Sequence, residues 1–90
     1  MDHKQWQVYI LQCSDGTLYT GATDDLEKRI RTHNLGLGAK YTRGRRPVIL
    51  RYREECNDRS TALKREYQMK QLSRSEKLSL CNTWLAKEIE

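Results

Sequence analysis

Two short runs that favour extended chain, Trp6 to Gln12 and Thr17 to Gly21, are separated by little more than Ser14, Asp15 and Gly16. Val, Ile, Leu and Tyr on either side of such a break read as a β-hairpin. The loop length then decides which side chains share a face, because a shift of one residue turns a strand over. A two-residue turn at Asp15-Gly16 puts Tyr9 and Tyr19 on opposite sides of the sheet. A three-residue loop, a type I turn with Gly16 left-handed in a bulge, pairs Leu11 with Tyr19 and sets both tyrosines on one face. The three-residue loop is expected.

Further along, Asp24 is the expected N-cap of a helix that carries Leu26, Ile30 and His33 on one stripe and ends near Gly36. Arg29 and His33 are four apart and therefore neighbours on that helix. Gly36 to Pro47 contains three glycines and the only proline, and reads as a basic, exposed loop. Val48 to Tyr52 reads as a third strand. Asn57-Asp58 with Ser60 opens a second helix to about Leu72, and Ser73-Arg74-Ser75-Glu76 has the pattern of a capping box. The third helix it opens is expected to present Leu78, Cys81, Leu85 and Ile89 to the core, with Trp6 and Trp84 completing it. The order β-β-α-β-α-α gives an α/β fold, a small three-stranded antiparallel sheet packed with helices.

With 90 residues, 37% of them apolar, one modest core can close, so residues 1–90 form one domain. Seventeen basic against twelve acidic residues leave a net charge of +5. Four basic residues and no acidic one lie between Lys40 and Arg46, which favours an anionic partner such as a nucleic acid. A solvated charged surface is the bland alternative. Cys13, Cys56 and Cys81 are odd in number and far apart, with none of the paired spacing of a zinc site, so reduced thiols are expected. No apolar run approaches the roughly 20 residues of a membrane span, and Met1 to Gln5 lacks the apolar stretch of a signal peptide. A cytoplasmic location is the expectation.

Two features point toward chemistry. On the second helix Ala62, Leu63 and Met69 surround Glu66, so this carboxylate falls within the apolar arc and needs a cation or donors as partners. Pairing with Lys70, one turn on, is the structural alternative. Tyr19-Thr20-Gly21 runs toward a helix N-terminus, where a glycine lets a phosphate approach the backbone.

Val8-Tyr9 and Tyr19-Thr20-Gly21 resemble the two halves of the GIY-YIG endonuclease signature at the family's spacing. Asp25-Leu26-Glu27-Lys28-Arg29 followed by His33 resembles the helix with the family's active-site arginine, and Ala62-Leu63-Lys64-Arg65-Glu66 the helix that supplies its metal-binding glutamate. Together with the short chain, Gly38-Ala39-Lys40-Tyr41-Thr42-Arg43-Gly44-Arg45-Arg46-Pro47 is similar to the small stand-alone bacterial subgroup. Gln7, Val8 and Thr20 depart from the signature at structural positions.

The resemblance implies a nuclease that hydrolyses phosphodiester bonds with one divalent cation, Mg²⁺ or Mn²⁺, on Glu66. It makes Tyr9 the base that deprotonates water and Arg29 the cation that stabilises the five-coordinate phosphorus. Tyr19 and His33 orient water or phosphate, and Gly21 allows close approach of the backbone. Lys40, Arg43, Arg45 and Arg46 are expected to contact phosphates, with DNA the expected partner and RNA left open. Phosphate contacts give affinity without reading sequence, so little intrinsic sequence specificity is expected. Neither a membrane nor a small-molecule cofactor is expected. On the residues alone, tyrosines on a sheet more often pack than catalyse, His33 can cap its helix, and Arg29 can pair with Asp25. A non-catalytic nucleic-acid-binding module on the same fold is the alternative reading.

Overall fold

The computed structural model describes residues 5–89. Seven elements follow one another: β1 (Trp6–Gln12), β2 (Leu18–Thr23), α1 (Leu26–Asn34), α2 (Lys40–Arg43), β3 (Ile49–Cys56), α3 (Arg59–Lys70) and α4 (Arg74–Ile89). The sheet is antiparallel in the order β2-β1-β3. The hairpin closes as expected, with Leu11 opposite Tyr19, Tyr9 opposite Gly21, and Gly16 at φ 84°.

Because β1 is the central strand and is covered on both faces, Val8, Tyr9, Ile10 and Leu11 are all buried. Alternation sorts them. Val8 and Ile10 join Cys56, Ala62, Met69 and Cys81 on the face covered by α3 and α4, while Tyr9 and Leu11 join Leu26 and Val48 on the face covered by α1. A bulge in β3 opposite Ile10 and Leu11 resets the alternation there, so Tyr52 packs on the first face and Leu50 on the second although they are two residues apart. Burying a side chain such as Met69 or Ile10 stabilises the fold by about 1.5–3 kcal/mol.

Polar contacts fix how the helices sit. Glu54 on β3 accepts from Arg65 Nε at 2.7 Å and from the Tyr52 hydroxyl at 2.8 Å, pinning α3 to the sheet. The Asn34 amide spans to both backbone groups of Val48, which ties the end of α1 to the start of β3. Ser73 and Glu76 exchange the two reciprocal bonds of the capping box, at 3.0 and 3.1 Å.

Several sequence expectations need correction. The N-cap of α1 is Asp25, which accepts from the Lys28 amide, rather than Asp24. The Thr23 hydroxyl catches the Asp25 amide and makes Asp24 the corner of the turn. The stretch from Gly36 to Pro47 is not all loop, since Lys40–Arg43 form one helical turn. The third strand continues to Cys56. Its second half is polar because Arg53 and Glu55 face solvent while Glu54 is bonded to Arg65. On α4 Cys81 is buried in the core with Leu80 packed beside it, Leu78 and Trp84 are half-buried, and Leu85 is 44% exposed. A helix docked along one edge buries a narrow stripe, which here is turned by about one residue from the predicted one. The side chain of Ile89 lies outside the described residues.

Candidate active site

Tyr9 stands in the middle of β1 facing α1, with its side chain buried. A Cβ on Gly21, its cross-strand partner, would lie 2.6 Å from Tyr9 Cζ and overlap the phenol oxygen. The close approach expected of Gly21 is therefore made by the Tyr9 ring. Gly38 has the same function toward His33, because a Cβ there would lie 2.8 Å from the imidazole Cγ. Two glycines thus make room for two chemical side chains.

His33, in the last turn of α1, is fully buried. Its Nε2 is 3.2 Å from the Tyr9 hydroxyl and its Nδ1 is 2.8 Å from Thr42 Oγ1. Thr42 is also fully buried, and its hydroxyl donates to the Ala39 carbonyl at 2.9 Å. Tyr9, His33, Thr42 and Ala39 so form one continuous polar chain through the face between β1, α1 and α2. Around it the aromatic rings stack in steps. Tyr19 meets His33 edge to face with centroids 5.2 Å apart, Tyr41 stacks on Tyr19 at 6.1 Å, and the Arg45 guanidinium sits 4.1 Å from the Tyr41 centroid.

The electrostatics show which charges converge on the phenol. Burial pushes Tyr9 up to about 12, with the charges of Tyr19 and Glu66 acting in the same direction and the Arg29 guanidinium opposing. Burial and the Arg29 charge both hold His33 below the usual imidazole value. His33 is therefore neutral at physiological pH. Glu66 approaches from α3, with its side chain one-fifth exposed and Lys70 Nζ at 3.4 Å, the one-turn pair that its spacing allowed. Tyr9 and Tyr19 both contact His33, and the charges of Arg29 and Glu66 act on the Tyr9 phenol, so four separate elements contribute here.

The basic segment divides. Arg45 bonds Asp15 at 3.0 Å and the Tyr41 carbonyl at 2.8 Å, which docks the segment on the hairpin loop. Arg46 donates to the carbonyls of Arg43 and Asn34, the latter near the C-terminus of α1. Both arginines expected on phosphates thus also hold the backbone. Lys40 and Arg43 are exposed and make no side-chain bond among the described residues. Thr42, Gly38 and Tyr41 were missed as site residues, because a single helical turn carries no periodicity that would single them out. The only available signal was a Tyr-Thr pair inside a glycine-rich basic segment.

Among the described residues no three His, Cys, Asp or Glu side chains cluster as a metal cage. They offer no zinc site held by four side chains. No helix among them is long and apolar enough to cross a membrane, and Cys13, Cys56 and Cys81 are free and buried.

Residues 5–79 match the GIY-YIG catalytic domain. The chain is 59% identical to a UPF0213 protein of Desulfotalea psychrophila over 80 residues, covering 88% of this chain and 73% of that one. It is 56% identical to a UPF0213 protein of Halobacterium salinarum over 73 residues, covering 81% and 95%. The fold is similar to the solution structure of an Enterococcus faecalis protein, with TM-score 0.62, 39% identity, and 94% and 91% of the two chains covered. It is also similar to that of a UPF0213 protein of Bacillus halodurans, with TM-score 0.56, 44% identity, and 88% and 84% covered. With the domain spanning both strands of the hairpin, α1 and α3, this chain belongs to the GIY-YIG family of nucleases, among its small UPF0213 members.

Proposed function

We propose that the protein is a divalent-metal-dependent endonuclease that hydrolyses phosphodiester bonds in DNA with little intrinsic sequence preference. The observation that carries this reading is the buried contact between the Tyr9 hydroxyl and neutral His33, with the Arg29 charge acting on both. A free phenolate is scarce at neutral pH for a group pushed up to about 12. A relay avoids that population: Tyr9 takes a proton from the attacking water as its own proton moves to His33 Nε2. The hydroxide formed bonds to phosphorus, the bond to the leaving oxygen breaks, and that oxygen takes a proton from solvent while His33 later returns its own. Arg29, with its planar fork, neutralises the charge that builds on the phosphoryl oxygens. Tyr19 packs His33 in place.

Glu66 would hold one Mg²⁺ or Mn²⁺, which when bound supplies positive charge to a phosphate oxygen and the attacking water. The Lys70 ammonium would have to leave the carboxylate for that, a small cost because Lys70 is half exposed. Lys40 and Arg43 are the primary phosphate contacts and Arg45 and Arg46 the secondary ones. The test is cleavage of labelled single-stranded, duplex and branched DNA, and of RNA, with Mg²⁺ or Mn²⁺. Cutting that needs the metal supports the proposal. Salt-sensitive binding with no cutting on any substrate favours the non-catalytic module.

A further inference from the structure

A buried hydroxyl in a four-residue helix, with no N-cap side chain of its own, calls for a reason. We propose that Thr42 is a positioning residue that holds His33 in the tautomer protonated on Nδ1, leaving Nε2 as the acceptor for the Tyr9 proton. The catalytic consequence rests on the nuclease reading above, whereas the tautomer itself does not.

Counting protons from both ends of the chain gives the same answer. At one end Thr42 has a single hydroxyl proton and two neighbours, Ala39 O at 2.9 Å and His33 Nδ1 at 2.8 Å. A carbonyl can only accept, so with the hydroxyl proton on Ala39 the bond to His33 needs a proton on Nδ1. The opposite tautomer would turn the hydroxyl proton to His33 and leave two oxygens facing at 2.9 Å with no hydrogen between them. At the other end the buried Tyr9 hydroxyl bonds one side chain among the described residues. The phenol proton then has one acceptor in reach, His33 Nε2 at 3.2 Å. If Nε2 carried the proton, Tyr9 would accept it and its own proton would be buried without a partner, which costs about 1–3 kcal/mol.

The remaining geometry supports the same division of labour. Gly38 leaves the space the imidazole fills, where any side chain would displace it, and Tyr19 closes one side edge to face. Ring position is therefore set by packing, and the hydroxyl of Thr42 is left to set the proton. An orienting group that acts through a catalytic imidazole in this way touches neither water nor phosphate.

The experiment is long-range proton–nitrogen NMR on protein with ¹⁵N-histidine, with His33→Gln to assign the signal, beside single-turnover cleavage. The wild type is expected to show Nδ1 protonated and Nε2 bare. Thr42→Val should lose that single tautomer and lower kcat about 10–100-fold with KM unchanged, and Thr42→Ser should restore both. A wild-type signal with the proton on Nε2 overturns the proposal, as does a folded Thr42→Val with unaltered tautomer and kcat. A protein that cuts nothing yet carries the Nδ1 proton refutes the nuclease reading and supports the tautomer assignment. One that cuts with the proton on Nε2 does the reverse.

Discussion

The Tyr9 hydroxyl and His33 Nε2 meet at 3.2 Å with both side chains buried, although 24 residues separate them in the chain. A phenol so placed can exchange a proton only with its neighbours. Tyr9→Phe keeps the ring that packs the core and removes the oxygen. It is expected to lower the cleavage rate about 10²–10⁴-fold, with DNA affinity within a few fold of wild type. Single-turnover kinetics beside a binding titration checks this, and an equal loss in both would place Tyr9 in binding instead.

The two buried groups also set pH windows. His33 is held below the ordinary imidazole value of about 6.5. The unfolded chain therefore takes up a proton before the folded one as pH falls. This stability is intact above about pH 6.5 and is lost below it, down to the folded value. The acid limb of the cleavage rate should likewise lie below about 6.5. Tyr9 is raised to about 12, so its contribution is intact below the ordinary phenol value of about 10 and fades as pH rises from there toward 12, by about 2–3 kcal/mol. Denaturant unfolding across pH, with phenolate absorbance for Tyr9, measures both, and an acid limb well above 6.5 would remove His33 from the rate.

Gly21→Ala places a methyl against the Tyr9 phenol. Either the strands part or the phenol moves, so a stability loss of about 1–3 kcal/mol should accompany a fall in activity at least as large as that of Tyr9→Phe. Activity retained at low temperature, where the variant is folded, would show that the phenol can shift without penalty.

The sequence made much of this arrangement legible. Loop length placed Tyr9 and Tyr19 on one face, because the pleat leaves two choices and Gly16 selects one. Spacing on α1 placed Arg29 beside His33, and the capping box was plain in Ser73 and Glu76. Thr42 and Gly38 were not legible. Their contribution depends on a tertiary contact between α2 and the end of α1, which no local pattern encodes. The structural duties of Arg45 and Arg46 were hidden for the same reason, since charge in a sequence carries no record of the carbonyls it will meet.

That division predicts different outcomes for the basic residues. Replacing Lys40 and Arg43 with alanine should weaken binding evenly across DNA sequences and reduce the salt slope by about 2, with stability unchanged. Replacing Arg45 and Arg46 should lower stability as well, by about 1–3 kcal/mol, because carbonyl and Asp15 bonds are lost. Denaturation and salt-dependent binding of the two double variants would reveal a fault in this division if they behaved alike.

Thr20 stands where the family signature has isoleucine, and its buried hydroxyl has no partner among the described residues. Thr20→Val keeps the shape and removes the unpaired group. It should raise stability by about 1 kcal/mol and leave cleavage alone. Thermal unfolding decides, and a loss of stability would mean that the hydroxyl is bonded after all.

The most direct measurement compares wild type and Glu66→Ala, purified identically, on the labelled DNA panel with Mg²⁺, with Mn²⁺ and with chelator. The prediction is cutting by the wild type only when metal is present, no cutting by Glu66→Ala, and DNA binding by both. Cutting by Glu66→Ala at the wild-type rate, or by the wild type in chelator, would contradict a metal-dependent site built on this carboxylate.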